Sequence, residues 1–227
     1  QIKEISSCLL PATRGRAPLN VFMFGPPGIG KTACIKYVFR EFESYSGIKT
    51  VYINCWEFNT AVSIFSKLAI ELGIFAQRKG WGKDEVFERF LEGLRKSKGG
   101  VIVCLDEVDQ LLYKDKSCLY DLVRVNQYVR KPFGLVFISN YEFIFANVEP
   151  RIKSSLKLNE IEFKPYTFQE MKDILEKRAE LAFFSFEKGV VSLAANHAVK
   201  EGGDVRIGLE CLLKAGRIAE MDNEEKV

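Results

Sequence analysis

Residues 19–42 read LNVFMFGPPGIGKTACIKYVFREF. The run at 19–24 is short, apolar and bounded by Pro18 and Gly25, which is typical of a buried strand. Beyond the glycine-rich turn, apolar side chains recur at helical spacing over residues 32–42. This stretch therefore predicts a strand, a tight loop and an amphipathic helix in direct succession.

The loop at residues 25–32 fits the phosphate-binding pattern G-x-x-x-x-G-K-[ST]. Its glycines allow the main chain to curl, so that several N–H groups and the start of the helix face phosphate oxygens. Lys31 would neutralise the β- and γ-phosphates, and Thr32 would offer its hydroxyl to Mg²⁺. The alternative is a glycine turn whose lysine is only solvated, but the flanking strand and helix favour the phosphate site. The predicted nucleotide contacts are Gly25, Pro26, Pro27, Gly28, Ile29, Gly30, Lys31, Thr32 and Ala33.

The composition of the 227-residue chain is that of an ordinary globular protein, with 47% hydrophobic and 28% charged residues. A formal net charge of +3 neither requires nor excludes a nucleic-acid partner. The 6 cysteines are scattered and the chain has 1 histidine, so we predict reduced packing thiols and no zinc site. No apolar run approaches the roughly 18 residues that suggest a membrane span. We therefore expect a cytoplasmic protein with no membrane partner.

Strand and helix patterns alternate along most of the chain. Further short apolar runs predict strands at residues 49–55, 101–105, 135–139 and 161–163. The helical patterns between them imply right-handed crossovers and parallel strands with helices on both faces. The predicted fold class is therefore α/β, with a parallel five-stranded sheet.

The pattern changes after Pro165, where the strand signal stops. Thr167-Phe-Gln-Glu170 is a capping box that opens a helix, and two more helical patterns follow, the last with Asp204 as a suitable N-cap. We expect an α/β nucleotide-binding base domain over residues 1–164 and a small, all-helical lid domain over residues 165–227.

Acidic residues end the strand predicted at 101–105. Asp106 and Glu107 stand at its carboxyl end, where ligands of open α/β sheets gather. Asp106 is the better candidate for holding Mg²⁺ through its water shell, and Glu107 for orienting or deprotonating an attacking water. The alternative is an acid pair that only caps the next helix, a role that we assign to Asp109.

Several motifs resemble the signatures of AAA+ ATPases. The loop at 25–32 looks like Walker A, the residues LDEVD at 105–109 look like Walker B, and ISN at 138–140 looks like sensor 1. Three segments more specifically resemble archaeal relatives of the origin recognition complex and its cell-division-cycle loader: EPRIKSSL at 149–156, FKPYT at 163–167 and GDVR at 203–206. The resemblance covers nearly the whole chain and implies an AAA+ P-loop base with a helical lid.

The resemblance also implies roles for single residues. Asn140 would be the sensor 1 residue near the γ-phosphate, and Arg206 would be sensor 2, reaching from the lid to the phosphates. Arg151 matches the arginine finger that acts on a neighbouring subunit's nucleotide, and so joins Asn140 and the glutamate of Walker B as a catalytic candidate. Tyr166 and Arg178 match positions that line the nucleotide. Without the resemblance, these residues would be a turn asparagine, surface arginines and a hinge tyrosine.

The family's initiators carry an additional helical element between the second strand and Walker B that contacts duplex DNA. The corresponding interval here is 56–98, with a basic and aromatic connection inside it. Arg78, Lys79 and Lys83 would make salt-sensitive phosphate contacts that read little sequence. An ordinary solvated loop is an equal alternative.

The function implied by the resemblance is that of an ATP-dependent replication initiator in an archaeal-type cell, associated with the nucleoid. It would bind Mg²⁺ with ATP or ADP between base and lid, engage double-stranded origin DNA, and help load the replicative minichromosome maintenance helicase. Other initiator subunits are further expected partners. Hydrolysis of ATP to ADP and phosphate is expected to be slow and to act as a switch. Family members usually continue into a winged-helix domain, which we expect to be absent from this chain.

Two other functions stay open. One is a motor or loader from another AAA+ branch, such as a clamp loader or helicase loader, whose ATPase is fast and stimulated by partners. The other is an adaptor locked with ADP, although intact Walker B acids argue against it.

Overall fold

The computed structural model describes residues 1–76, 80–224 and 226–227. Its sheet consists of β1 (Asn20–Phe24), β2 (Lys49–Asn54), β3 (Val101–Asp106), β4 (Phe133–Ser139) and β5 (Leu158–Glu162). The strand order is β2-β3-β4-β1-β5, and every neighbouring pair is parallel. The predicted α/β class, a parallel five-stranded sheet with flanking helices, is confirmed.

The central strands explain why their sequences are apolar without alternation. β3 and β4 are buried at every position, as expected for strands covered on both faces. The edge strands β2 and β5 instead mix buried residues with partly or fully exposed ones. Because β3, β4 and β1 are parallel neighbours, their carboxyl ends lie side by side at one edge of the sheet.

Helices connect the strands. They are α1 (Ile2–Leu9), α2 (Lys31–Ser46), α3 (Ala61–Glu71), α4 (Lys83–Lys96), α5 (Val108–Lys114), α6 (Ser117–Tyr128) and α7 (Pro150–Leu156), with a 3₁₀ helix at Leu10–Arg14 after α1. Aromatic rings join α3 and α4 to the sheet, since the ring centroids of Phe65 and Phe90, and of Phe90 and Phe133, lie 5.7 Å apart. These ring contacts pack α4 against both α3 and β4.

Hydrophobic periodicity did not predict α1 or α7. These helices have 8 and 7 residues, fewer than the window of about 11 residues over which a helical period can be distinguished. Tertiary contacts stabilise them, because Ile5 and Leu9 of α1 and Ile152 and Leu156 of α7 are buried.

The last predicted strand, at 161–163, is wrong in its bounds, because β5 covers Leu158–Glu162. Ile161 is the one fully buried side chain of β5, so no apolar run marks where the strand begins. Its start is determined by pairing with β1, in which Leu158 lies opposite Asn20. An edge strand of this kind is specified by its neighbour more than by its own hydrophobicity.

The remaining helices are α8 (Phe168–Ala182), α9 (Lys188–Lys200) and α10 (Val205–Met221). They share a small core in which Met171, Leu175 and Ala195 are fully buried. The predicted capping box at the start of α8 is confirmed, since the Thr167 hydroxyl accepts from the Glu170 N–H and the Glu170 carboxylate accepts from the Thr167 N–H. Asp204 is confirmed as the N-cap of α10.

The described chain divides into two compact units, residues 1–24 with 31–162, and residues 25–30 with 163–227. The domain boundary predicted at residue 164 stays a prediction. Among the described residues, no helix is both long enough and apolar enough to cross a bilayer. The six cysteines are free thiols, of which four are buried.

Candidate nucleotide-binding site

The loop after β1 has a backbone that requires glycine. Gly25, Gly28 and Gly30 have φ angles of 143°, 71° and 85°, in the region that side chains disfavour. A Cβ on Gly25 would lie 2.1 Å from the carbonyl oxygen of Phe163, and one on Gly28 would lie 1.7 Å from Oδ1 of Asp204. Both the backbone conformation and the lack of space therefore exclude larger residues at Gly25 and Gly28.

Two carbonyl groups of the loop accept hydrogen bonds from residues later in the chain. The Tyr166 hydroxyl donates to the Ile29 carbonyl at 3.0 Å, and the Val205 N–H donates to the Gly28 carbonyl at 3.2 Å. These bonds hold the curled path of the main chain. Tyr166, which the sequence places near the nucleotide only by resemblance, thus contacts the phosphate-loop motif directly.

Lys31 is the first residue of α2, immediately after the loop, and its side chain is buried. Its Nζ donates a hydrogen bond of 2.9 Å to Oδ1 of Asn140, which follows the end of β4. The structure therefore brings together the Walker A lysine and the sensor 1 residue that the sequence predicts for the same γ-phosphate.

Asp106 is buried at the end of β3, and both of its carboxylate oxygens accept hydrogen bonds. Oδ2 accepts from the Thr32 hydroxyl at 2.6 Å and from the Tyr52 hydroxyl at 2.7 Å. Oδ1 accepts from the N–H of Glu107 at 3.0 Å. Burial, followed by the hydrogen bond to Asp106, raises the pKa of Tyr52, so this phenol stays a proton donor.

Glu107 has φ 55° and ψ 45°, the left-handed region, at the N-cap of α5. A non-glycine residue in this conformation costs of order 1 kcal/mol, and such strained residues cluster at functional sites. The conformation lets the chain turn sharply from β3 into α5. It places Glu107, half-buried, directly beside the Asp106 carboxylate.

The prediction that Asp109 caps the next helix is wrong. Glu107 is the N-cap residue of α5, without a side-chain capping bond, and Asp109 lies within the helix. Asp109 instead accepts a 2.8 Å hydrogen bond from the Ser139 hydroxyl, and that hydroxyl accepts a bond from the N–H of Tyr141. This link joins α5 to the end of β4 and holds the residues on both sides of Asn140.

Arg206 lies in the first turn of α10 and pairs with Asp204. Its Nε and Nη2 lie 3.0 Å and 2.7 Å from Oδ1 and Oδ2 of Asp204, a two-pronged contact. Arg178 is exposed on α8. Their predicted contacts with phosphates and nucleotide stay predictions.

Arg151 is exposed in the first turn of α7. Together with Tyr120, Arg124 and Ile152 it lines a cavity of about 230 Å³ at α6 and α7. None of the hydrogen bonds described above for Lys31 and Asp106 involves it. Its predicted role as an arginine finger stays a prediction.

The predicted DNA contacts Arg78 and Lys79 lie outside the described residues. Lys83, the first residue of α4, forms an ion pair of 2.5 Å with Asp121 on α6. Any DNA phosphate would have to compete with this carboxylate for the ammonium group.

The sequence did not predict two residues of the candidate site, Tyr52 and Ser139. In the β2–β3 register Asn54 lies opposite Asp106, so Tyr52 lies two residues upstream on the same face. Its long side chain can therefore reach the carboxylate. The signal that would have found Tyr52 is the strand register, which is a tertiary property.

The side-chain oxygen atoms of Asp106 and Thr32 are suitable ligands for a magnesium ion that is bound as a complex with a nucleotide. Mg²⁺ prefers hard oxygen ligands and usually takes one or two protein groups, with phosphates and water supplying the rest. Thr32 and Asp106 provide a hydroxyl and a carboxylate whose oxygen atoms lie 2.6 Å apart. In the part of the chain that the structure describes, no three His, Cys, Asp or Glu residues are grouped to hold a metal alone.

Two family models match the chain. A model of the AAA domain matches residues 15–144, and a model of the Cdc6 AAA+ ATPase-type lid domain matches residues 172–227. The two matches follow the order in which the phosphate-loop motif and the helices α8 to α10 occur.

Curated relatives resemble the chain along its whole length. The ORC1-type DNA replication protein 1 of Methanosarcina mazei is 36% identical over 235 residues, and the ORC1-type DNA replication protein of Pyrococcus abyssi is 35% identical over 240 residues. Each alignment covers 100% of this chain and 57% of the relative. The chain therefore spans less than two thirds of the length of these proteins.

Solved structures of related proteins also superpose on this chain along its whole length. The Aeropyrum pernix ORC1 protein in complex with DNA superposes with a TM-score of 0.89 at 36% identity, over 100% of this chain and 61% of that one. Cdc6p from Pyrobaculum aerophilum superposes with a TM-score of 0.88 at 21% identity, over 100% and 63%. At the lower identity the likeness concerns the fold alone.

Proposed function

Since the chain belongs to the AAA family, and within it to the archaeal Orc1/Cdc6 group, we propose that it is an ATP-dependent replication initiator with slow hydrolysis as its switch. One observation carries the proposal. The Lys31 ammonium donates a hydrogen bond to Asn140, and the Thr32 hydroxyl donates one to Asp106. Both bonds lie at the carboxyl ends of β1, β4 and β3. These are the positions at which parallel α/β sheets bind ligands.

Nucleotide binding is assigned to the loop at 25–30 and to Lys31 and Thr32. The main-chain N–H groups of the glycine loop would bind phosphate oxygens, and the Lys31 ammonium would neutralise the β- and γ-phosphates. The geometry supports this, because Nζ of Lys31 lies 2.9 Å from Oδ1 of Asn140, the residue that the family resemblance places near the γ-phosphate. Thr32 and Asp106 would hold Mg²⁺, which supplies charge neutralisation of the phosphates when bound.

Hydrolysis is assigned to Glu107 and Asn140. Glu107 would orient or deprotonate the attacking water, and the Asn140 amide, already bonded to Lys31, would position it near the γ-phosphate. Arg206 and Arg178 would sense the phosphates, Tyr166 would line the nucleotide, and Arg151 would act in a neighbouring subunit's site. These four assignments rest on the family resemblance.

DNA and helicase contacts are assigned to the protein as a whole. The Aeropyrum pernix relative is described in complex with DNA, and the curated relatives are named as DNA replication proteins. By this likeness we infer binding of double-stranded origin DNA, loading of the replicative minichromosome maintenance helicase, and association with other initiator subunits. ATP or ADP in the site would alter these contacts.

The function is tested first by nucleotide binding to the intact chain and to Lys31→Ala. We expect Lys31→Ala to weaken ATP binding by at least about tenfold, because the variant loses a charged contact with the phosphates. Lys98→Ala, which removes an exposed lysine, is the control and should bind as the wild type does. Equal affinity of Lys31→Ala and the wild type would remove the site assignment.

A steady-state ATPase assay with and without duplex DNA separates the initiator from the two other functions. An initiator should turn ATP over slowly and bind DNA in a nucleotide-dependent way. A fast ATPase stimulated by DNA or partners would favour a loader motor of another branch. ADP that persists through purification, without DNA affinity, would favour an adaptor.

A further inference from the structure

The Tyr52 hydroxyl donates a 2.7 Å hydrogen bond to Oδ2 of Asp106. We propose that Tyr52 is a positioning residue that holds the Asp106 carboxylate in the orientation needed for the Mg²⁺-nucleotide complex. The proposal rests on the function proposed above and deepens it. Tyr52 acts through Asp106 and does not itself touch the nucleotide.

The strands bring this phenol to the carboxylate. β2 and β3 are paired with Tyr52 opposite Cys104 and Asn54 opposite Asp106, so Tyr52 and Asp106 share a face of the sheet two residues apart. A tyrosine side chain is long enough to bridge that distance. The donor is therefore anchored on the sheet, on the strand next to the one that carries the acid.

The carboxylate needs such a second anchor. The torsion that rotates a carboxylate about its last carbon–carbon bond is soft, so one hydrogen bond leaves a range of orientations. Oδ2 also accepts from Thr32, at 2.6 Å, but that hydroxyl is itself assigned to the metal. The Tyr52 hydroxyl is not assigned to the metal. It would therefore keep its hydrogen bond to Oδ2 if the Thr32 hydroxyl rotated to bind Mg²⁺.

The Tyr52 ring also contacts α2. The Lys36 ammonium lies 4.4 Å from the centroid of the Tyr52 ring, a cation–π contact. Lys36 and Thr32 are four residues apart on α2 and so lie on one face of that helix. One helix face therefore contacts both the carboxylate, through Thr32, and the ring that positions it, through Lys36.

The test is Tyr52→Phe in the full chain, which removes the hydroxyl and keeps the ring. Nucleotide affinity is measured by titration at a series of Mg²⁺ concentrations and in EDTA. We expect affinity in EDTA to stay within about twofold of the wild type, and the Mg²⁺ concentration that gives half of the affinity gain to rise about tenfold. Tyr45→Phe, which removes an exposed hydroxyl from α2, is the matched control and should leave the Mg²⁺ dependence unchanged.

A double-mutant comparison separates positioning from general loss of structure. In an Asp106→Ala background, Tyr52→Phe should have no further effect on the Mg²⁺ dependence, because the carboxylate that Tyr52 positions is already gone. An additional effect there, or an equal loss of affinity in EDTA and in Mg²⁺, would assign Tyr52 a structural role and overturn the proposal. Wild-type Mg²⁺ dependence in Tyr52→Phe would overturn it as well.

The wild-type titration shows which idea has failed. If wild-type binding of ATP strengthens with Mg²⁺ while Tyr52→Phe behaves like the wild type, the positioning role fails and the proposed function stands. If the wild type itself binds no nucleotide, or binds it without any response to Mg²⁺, the proposed function fails and the positioning role falls with it.

Discussion

Glu107 combines a strained backbone with a position next to the buried Asp106. Asp106 has three donors on its two oxygens, so its geometry suits a fixed ligand and not a group that moves protons. These different surroundings support the proposed roles, Asp106 as a metal ligand and Glu107 as the residue that acts on water. At this scale the two acids differ in their hydrogen bonds, and the chemistry predicted from their residue types stays a prediction.

Replacing Glu107 by Gln should slow ATP turnover by at least about tenfold while leaving ATP affinity close to that of the wild type. The amide cannot accept the proton of the attacking water, but it preserves the size and the backbone of the residue. Phosphate release under saturating ATP, with a separate binding titration, measures both quantities. Glu85→Gln, on the exposed start of α4, is the control, and unchanged turnover in Glu107→Gln would remove Glu107 from the mechanism.

Secondary-structure elements were predicted where a local signal exists. The capping box of α8 and the N-cap Asp204 were confirmed because capping depends on side chains within three residues of each other. The short helices α1 and α7 and the start of β5 were not, because they form on surfaces that other elements supply.

Replacing Thr167 by Ala should destabilise the first turn of α8 by about 1 kcal/mol, because the Glu170 N–H loses its acceptor. That corresponds to roughly fivefold faster amide hydrogen exchange in the first turn of α8, provided that exchange there follows local opening. Hydrogen exchange with mass spectrometry measures this change. Ser192→Ala, which removes an exposed hydroxyl within α9, is the control. Exchange in Thr167→Ala at the wild-type rate would show that the cap contributes nothing.

At the scale of the whole molecule the net charge is small. The 33 Lys and Arg residues nearly balance the 30 Asp and Glu residues, and Lys83 is paired with Asp121. DNA binding by this chain should therefore depend on few phosphate contacts, with counterion release as the driving force.

A salt series tests DNA binding at this scale. The logarithm of the binding constant should fall with the logarithm of salt concentration at a slope of about −2 to −4, corresponding to a few neutralised phosphates. The double substitution Arg78→Ala with Lys79→Ala should reduce that slope by roughly 2. Lys3→Ala, which removes an exposed lysine outside the interval 56–98, should leave the slope unchanged. A slope that the double substitution does not alter would place the DNA contacts elsewhere, and binding that is equal with ATP and ADP would argue against a nucleotide switch.

The amino-acid sequence by itself determined the strand, loop and helix around residues 25–32, the α/β class, the phosphate-loop motif and the acid pair at the end of β3. These follow from residue types and spacings within short stretches, where propensity and periodicity act. The tertiary structure alone decided that Tyr52 bonds to Asp106 and that Asp109 bonds to Ser139 instead of capping a helix. Those contacts depend on how strands and helices far apart in the chain align, and alignment is determined by packing over the whole sheet.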